Sequence, residues 1–92
     1  MMDAATTTDE DVQIVTDQDA ILSAFGQAVR DLRRTRNWTQ AELAERAETH
    51  RVYLGAIERG EKNIGLITVR SLANAFGIKT SELLELAQDY GL

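Results

Sequence analysis

The 92-residue chain has no cysteine, no proline and a single histidine. Without cysteine there is no disulfide framework, no thiolate metal site and no cysteine nucleophile. One imidazole, His50, is too little for a His-rich metal centre, so neither a metal nor a cofactor is expected. The lack of proline suits helices joined by tight turns better than a strand-and-loop fold. No apolar run approaches the roughly 18 residues of a membrane span. Residues 1–11 lack the basic-then-apolar order of a secretory signal, so no membrane partner and a cytoplasmic location are expected. There is no glycine-rich phosphate loop and no pair of carboxylates spaced to face a cleft, so the chain is not expected to be an enzyme. It is also too short to hold a separate sensor domain, and no small-molecule ligand is expected.

What is present begins with an uneven charge. The formal net charge is −5, an unpromising sign for nucleic-acid binding. Residues 1–19, however, carry six acids and no Lys or Arg. The rest holds all ten Lys and Arg against nine acids, and so is close to neutral. The acidity belongs to an N-terminal tail, residues 1–18, whose few large apolar groups (Val12, Ile14, Val15) cannot offset its ordering entropy; it is expected to be disordered. Residues 19–92 form the domain.

From Asp19, a possible cap, Ile21, Leu22, Phe25, Val29 and Leu32 make one helical stripe. Arg30, Arg33, Arg34 and Arg36 crowd its end, where cations suit the helix dipole; for Arg30, Arg34 and Arg36, DNA contact and a solvated face both stand as readings. Asn37 is a candidate left-handed stop, and Trp38 can dock the connection. Thr39 then opens TQAELAERA with Glu42 three residues on, a capping box. THRVYLGAIERG follows after a turn of three or four residues, with Leu54 and Ile57 inward and Gly60 as its stop. Leu66, Val69, Leu72, Ala73 and Phe76 pattern a fourth helix ended by Gly77, and TSELLELAQDY from Thr80 a fifth. The fold class is all-α, with five short helices.

The central pair, Thr39 to Gly60, has the spacing of a helix-turn-helix. Small Ala44 permits close crossing, while Leu43, Ala47, Leu54 and Ile57 fill the wedge. The second helix is then free to present His50, Arg51, Val52, Gly55, Ala56 and Arg59 to a major groove. Arg51 opposes the dipole at its helix start and gains nothing structurally there, whereas its fork can donate to guanine O6 and N7 together. Gln40, at the start of the first helix of the pair, can hold a phosphate.

These residues resemble a known family. TQAELAERAETHRVYLGAIERG is similar to the helix-turn-helix of the Cro/C1 repressor family, also called the XRE family, and the likeness extends from about Phe25 through LANAFGIKTSELL. FGQAVRDLRRTRNWTQAELA with YLGAIERGEKNI is especially similar to the controller proteins of restriction–modification systems. The resemblance implies a five-helix, lambda-repressor-like DNA-binding domain that regulates transcription and binds double-stranded operator DNA as a homodimer. It further implies that Gln40 binds phosphate, that Arg51 and Val52 read bases, and that Lys62 and Asn63 contact DNA from the following loop. Tyr53 matches a tyrosine at the DNA edge, though by pattern it fits the core equally well. Arg33 and Glu58 match an ion pair tying the first helix to the third.

Two positions depart from the family pattern. Glu48 stands where the turn usually has glycine, and His50 where a Ser or Asp caps the recognition helix. Thr49 is a possible substitute cap, and His50 is either a DNA contact or an exposed turn residue. With Thr39, these complete the candidate DNA-contacting set. Leu83, Leu84 and Leu86 cannot all point inward from one helix, and the excess marks a candidate dimer surface. The competing functions are a stand-alone repressor of the same family and an antitoxin or adaptor working through protein–protein contacts.

Overall fold

A computed structural model describes the backbone of residues 3–92 and the side chains of residues 17–92. The expectation of a disordered tail over 1–18 falls almost wholly on residues whose side chains lie outside that description. The elements are α1 (Asp3–Thr35), α2 (Gln40–Arg46), α3 (Arg51–Glu58), α4 (Leu66–Phe76) and α5 (Thr80–Gln88), with no strand among the described residues. Asp19 is not a cap: it lies exposed inside α1, because no proline or glycine interrupts the chain upstream of it.

The helices end alike. After α1, α2, α3 and α4 the chain turns through a residue of positive φ: Asn37 (59°), Glu48 (57°), Gly60 (74°) and Gly77 (73°). The next residue's N–H then reaches back to a carbonyl five positions earlier, as in Trp38 to Arg33 (3.1 Å), Thr49 to Ala44 (2.9 Å), Glu61 to Ala56 (2.9 Å) and Ile78 to Ala73 (3.0 Å). This Schellman closure satisfies carbonyls that a helix end leaves without partners, and it keeps each connection short.

The core is continuous, made by Phe25, Val29, Leu43, Leu54, Ile57, Leu72, Phe76 and Leu83 with alanines between them. α1 packs on α3 and α5, α2 on α3, and α4 on α5. Trp38 docks the α1–α2 connection by stacking on Phe76, with centroids 5.7 Å apart. The guanidinium of Arg46 lies 4.2 Å from the Trp38 ring centroid, a cation–π contact.

Two glycines set how closely α1 meets α3. A Cβ on Gly26 would stand 2.4 Å from the Ile57 carbonyl oxygen and 2.6 Å from that of Glu58, so only glycine lets the helices touch there. Gly60 combines its positive φ with a backbone approach to Ser23, where a Cβ would lie 2.9 Å from Cα. The apolar patterns hold except at their edges: Ile21 is 44% exposed and Leu66 is 74% exposed, so neither belongs to the core.

Candidate nucleic-acid interface

The start of α2 is built by local chemistry. Thr39 adopts an extended conformation, its Oγ1 accepts from the Glu42 N–H (3.1 Å), and Glu42 Oε1 accepts from the Thr39 N–H (2.8 Å). Those bonds hold the Glu42 carboxyl below the usual carboxylate range, the Thr39 backbone bond being the main cause. With two of its orphan donors satisfied, α2 stays ordered although it has only seven residues.

The α2–α3 turn is less economical. Glu48 occupies the left-handed region without being glycine, a conformation that costs a side-chain-bearing residue free energy. Thr49 does not cap α3: it stands in the turn, one residue before the N-cap position, which His50 holds without making a side-chain capping bond. The first turn of α3 therefore has no side-chain cap and no acidic residue, while Arg51 and Val52 project into solvent, Val52 being 74% exposed. His50 is exposed beside them.

The outer face is narrower than the sequence suggests. Gly55 and Ala56 are buried and do not line a groove-facing surface. Along α3 only Arg51 and Val52 are exposed, followed by Arg59 just past its end, because Leu54 through Glu58 are all buried in so small a domain. Gly55 lies beneath the Gln40 amide, whose Oε1 would be 3.5 Å from a Cβ at that position. Tyr53 is half-buried and packs against the core. Lys62 and Asn63 are exposed in the loop that follows α3, and Arg59 there pairs with Glu61 at 3.0 Å.

Behind this edge lies a buried charged network. Arg33 Nε donates to Glu58 Oε2 (2.7 Å) and Arg33 Nη2 to Glu58 Oε1 (3.0 Å), a two-pronged pair with Glu58 only 2% exposed. Arg33 Nη1 donates to the Trp38 carbonyl (2.9 Å), and Gln40 Nε2 donates to Glu58 Oε1 (2.9 Å). The Glu58 hydrogen bond raises the Arg33 pKa still further, keeping the guanidinium charged. No buried side-chain nitrogen or oxygen among the described residues lacks a partner. One cluster thus joins the end of α1, the α1–α2 link, the start of α2 and the end of α3.

Thr39, Gln40, His50, Arg51, Val52, Lys62 and Asn63 are all at least partly exposed, on the α2 start, the α3 start and the loop after α3. Thr49 is half-buried in the turn. Of the three leucines assigned to an outer surface, Leu83 is fully buried in the monomer core, Leu84 is half-buried and Leu86 is 39% exposed. Leu83 is thus removed from any dimer surface, because it lies with Ala87 on the buried side of α5, the helix that packs on α1 and α4. The bond from Gln40 to Glu58 and the glycine contact at Gly26 were not anticipated. A glycine inside an otherwise good helix pattern was the available signal for the second. Among the described residues no acid or imidazole cluster could hold a metal ion, and no helix is long and apolar enough to cross a membrane.

Comparison with known proteins agrees with this geometry. A helix-turn-helix family model matches residues 29–83. The chain is 37% identical over 62 residues to the control protein C.BamHI of Bacillus amyloliquefaciens, covering 66% of this chain and 76% of that one. It is 41% identical over 59 residues to the immunity repressor protein of Bacillus phage phi105, covering 64% of this chain but only 41% of that longer protein. Among solved structures, the restriction–modification controller protein C.AhdI from Aeromonas hydrophila superposes with a TM-score of 0.66 at 39% identity, covering 67% of this chain and 94% of that one.

Proposed function

This chain belongs to the helix-turn-helix family matched over residues 29–83, and from that premise we propose how it acts. It is a sequence-specific DNA-binding regulator of transcription, of the restriction–modification controller kind, working as a homodimer on a two-fold operator. The observation that carries this reading is the split character of α3: an inner face with no solvent access and a first turn that leaves Arg51 and Val52 in water. Arg51 offers a guanidinium fork to guanine, and Val52 an apolar contact to a thymine methyl. Thr39, Gln40, Lys62 and Asn63 hold the sugar–phosphate backbone and set register, with His50 and Thr49 at the margin. Tyr53 supports the helix from the core side while its edge faces the groove.

A dimer is what such a reader needs, since one short helix specifies few base pairs. Two recognition helices about 34 Å apart meet the same face of the duplex one turn apart. Large apolar side chains left in water support a self-complementary surface: Leu86 with half-buried Leu84 on α5, and Leu66 and Ile67 on α4, the last 83% exposed. Such a regulator works where the DNA is, in the cytoplasm. It has no reaction to perform and no small-molecule ligand to sense, and its own concentration sets operator occupancy.

The test is a titration of duplex DNA from immediately upstream of the gene at two salt concentrations. A specific complex that outcompetes unrelated duplex and weakens as salt rises is expected. No binding at low salt overturns the reading in favour of a protein–protein adaptor. Adjacent endonuclease and methyltransferase genes would support the controller assignment over a stand-alone repressor.

A further inference from the structure

We infer that Glu58 is a positioning residue for DNA binding, fixing the Gln40 amide as a phosphate donor. This rests on the DNA-binding reading above. Glu58 is 2% exposed and cannot itself meet DNA. Its Oε1 nevertheless accepts from two residues, Arg33 Nη2 at 3.0 Å and Gln40 Nε2 at 2.9 Å. One N–H of the Gln40 amide is thereby committed inward, and a primary amide has two. The second remains for a phosphate oxygen.

Three features make this more than incidental contact. The amide lies over α3 at Gly55, where a Cβ would stand in ordinary van der Waals contact with both of its polar atoms, at 3.5 Å and 3.7 Å, so it rests against that helix instead of extending into solvent. Arg33 neutralises Glu58 through a two-pronged bond, so the carboxylate orients Gln40 without presenting net negative charge to the approaching phosphate. Arg33 also donates to the Trp38 carbonyl, one residue before the Thr39 cap, so the backbone carrying Gln40 and the acceptor orienting it share one anchor. The Gln40 side chain thus loses most of its rotamer freedom before DNA arrives, which removes part of the ordering cost of binding.

The experiment is a double-mutant cycle on the full chain, with DNA from upstream of the gene as probe, at a temperature where circular dichroism shows all four proteins folded. Gln40→Ala is expected to weaken binding by about three- to tenfold, the scale of one net hydrogen bond. Glu58→Gln should weaken it by a similar factor when Gln40 is present and by less than about twofold when Gln40 is alanine. A purely structural Glu58 would lower thermal stability equally in both backgrounds and would give additive losses of affinity; additive losses overturn the inference alone. Absence of DNA binding by the wild-type chain overturns it together with the functional reading. Should Glu58→Gln fail to fold, the side-chain amide protons of Gln40 in the free wild-type protein decide the matter. One of the two signals is expected to be shifted from its ordinary position and slowed in exchange with solvent, and a pair with the shifts and exchange rates of an exposed glutamine contradicts the assignment.

Discussion

At its C-terminal end α3 is clamped by a two-pronged ion pair, by a backbone approach that only Gly26 permits, and by the left-handed Gly60 resting on Ser23. At its N-terminal end, some 12 Å along a helix of eight residues, it has no side-chain cap and follows a strained Glu48. Stability is concentrated at one end and chemistry is exposed at the other. The end proposed to read bases is left without structural duties and would be aimed from a distance, by anchoring the rest of its own helix. Arg51 and Val52 are thereby free to be what the operator requires, because the fold asks nothing of them.

Breaking the anchored end should have the largest effect. Arg33→Met leaves Glu58 buried without its partner and should cost about 3–5 kcal/mol of stability, enough for chemical denaturation to show a domain near its folding limit. Gly26→Ala comes next. The added methyl meets two backbone carbonyls that cannot step aside, and despite alanine's better helix propensity the net loss should be about 1–3 kcal/mol. A thermal melt unchanged by Gly26→Ala would show that α1 and α3 are not held as closely as described.

At the other end the sign reverses. His50→Asp should add the missing cap and a favourable charge at the dipole, raising stability by about 1 kcal/mol, while weakening DNA binding through repulsion of phosphate. A variant that melts earlier than the parent would contradict the uncapped description of α3. The smallest effect concerns pH. The folded-state pKa of Glu42 is lowered, chiefly by its bond from the Thr39 N–H, so its contribution is complete above the unfolded value of about 4.3 and is lost as pH falls through the lower folded one. Glu42→Gln should therefore lower stability slightly at neutral pH, where the ionised cap contributes, and flatten the profile through that acid range, where parent and variant converge.

Much of this was legible in the residues. The capping box at Thr39–Glu42, the stops at Asn37, Gly60 and Gly77, and the strained Glu48 follow from local chemistry that a sequence states openly. The face of each short helix was read less well. Gly55 and Ala56 look like an outer surface on a helical wheel, yet they are buried, because both α1 and α2 pack on α3 and Gln40 lies over Gly55. Leu66 fits the α4 stripe, but it sits in the first turn, beyond the reach of the core. Leu83 was grouped with Leu84 and Leu86, and only the packing of α5 on α1 and α4 separates them. What escaped were contacts between elements distant in sequence: Gln40 with Glu58, which no local pattern encodes, and Gly26 with the end of α3, whose one local sign is a glycine inside a helix pattern.

The central claim, that reading and stability are housed at opposite ends of α3, is tested most directly by measuring both properties on Arg51→Ala. Affinity for the upstream operator should fall by about one to two orders of magnitude, the worth of a bidentate base contact, while the melting temperature stays within about 2 °C of the parent, as for an exposed residue with no structural partner. Undiminished operator binding, or a loss of affinity matched by a loss of stability, would contradict it.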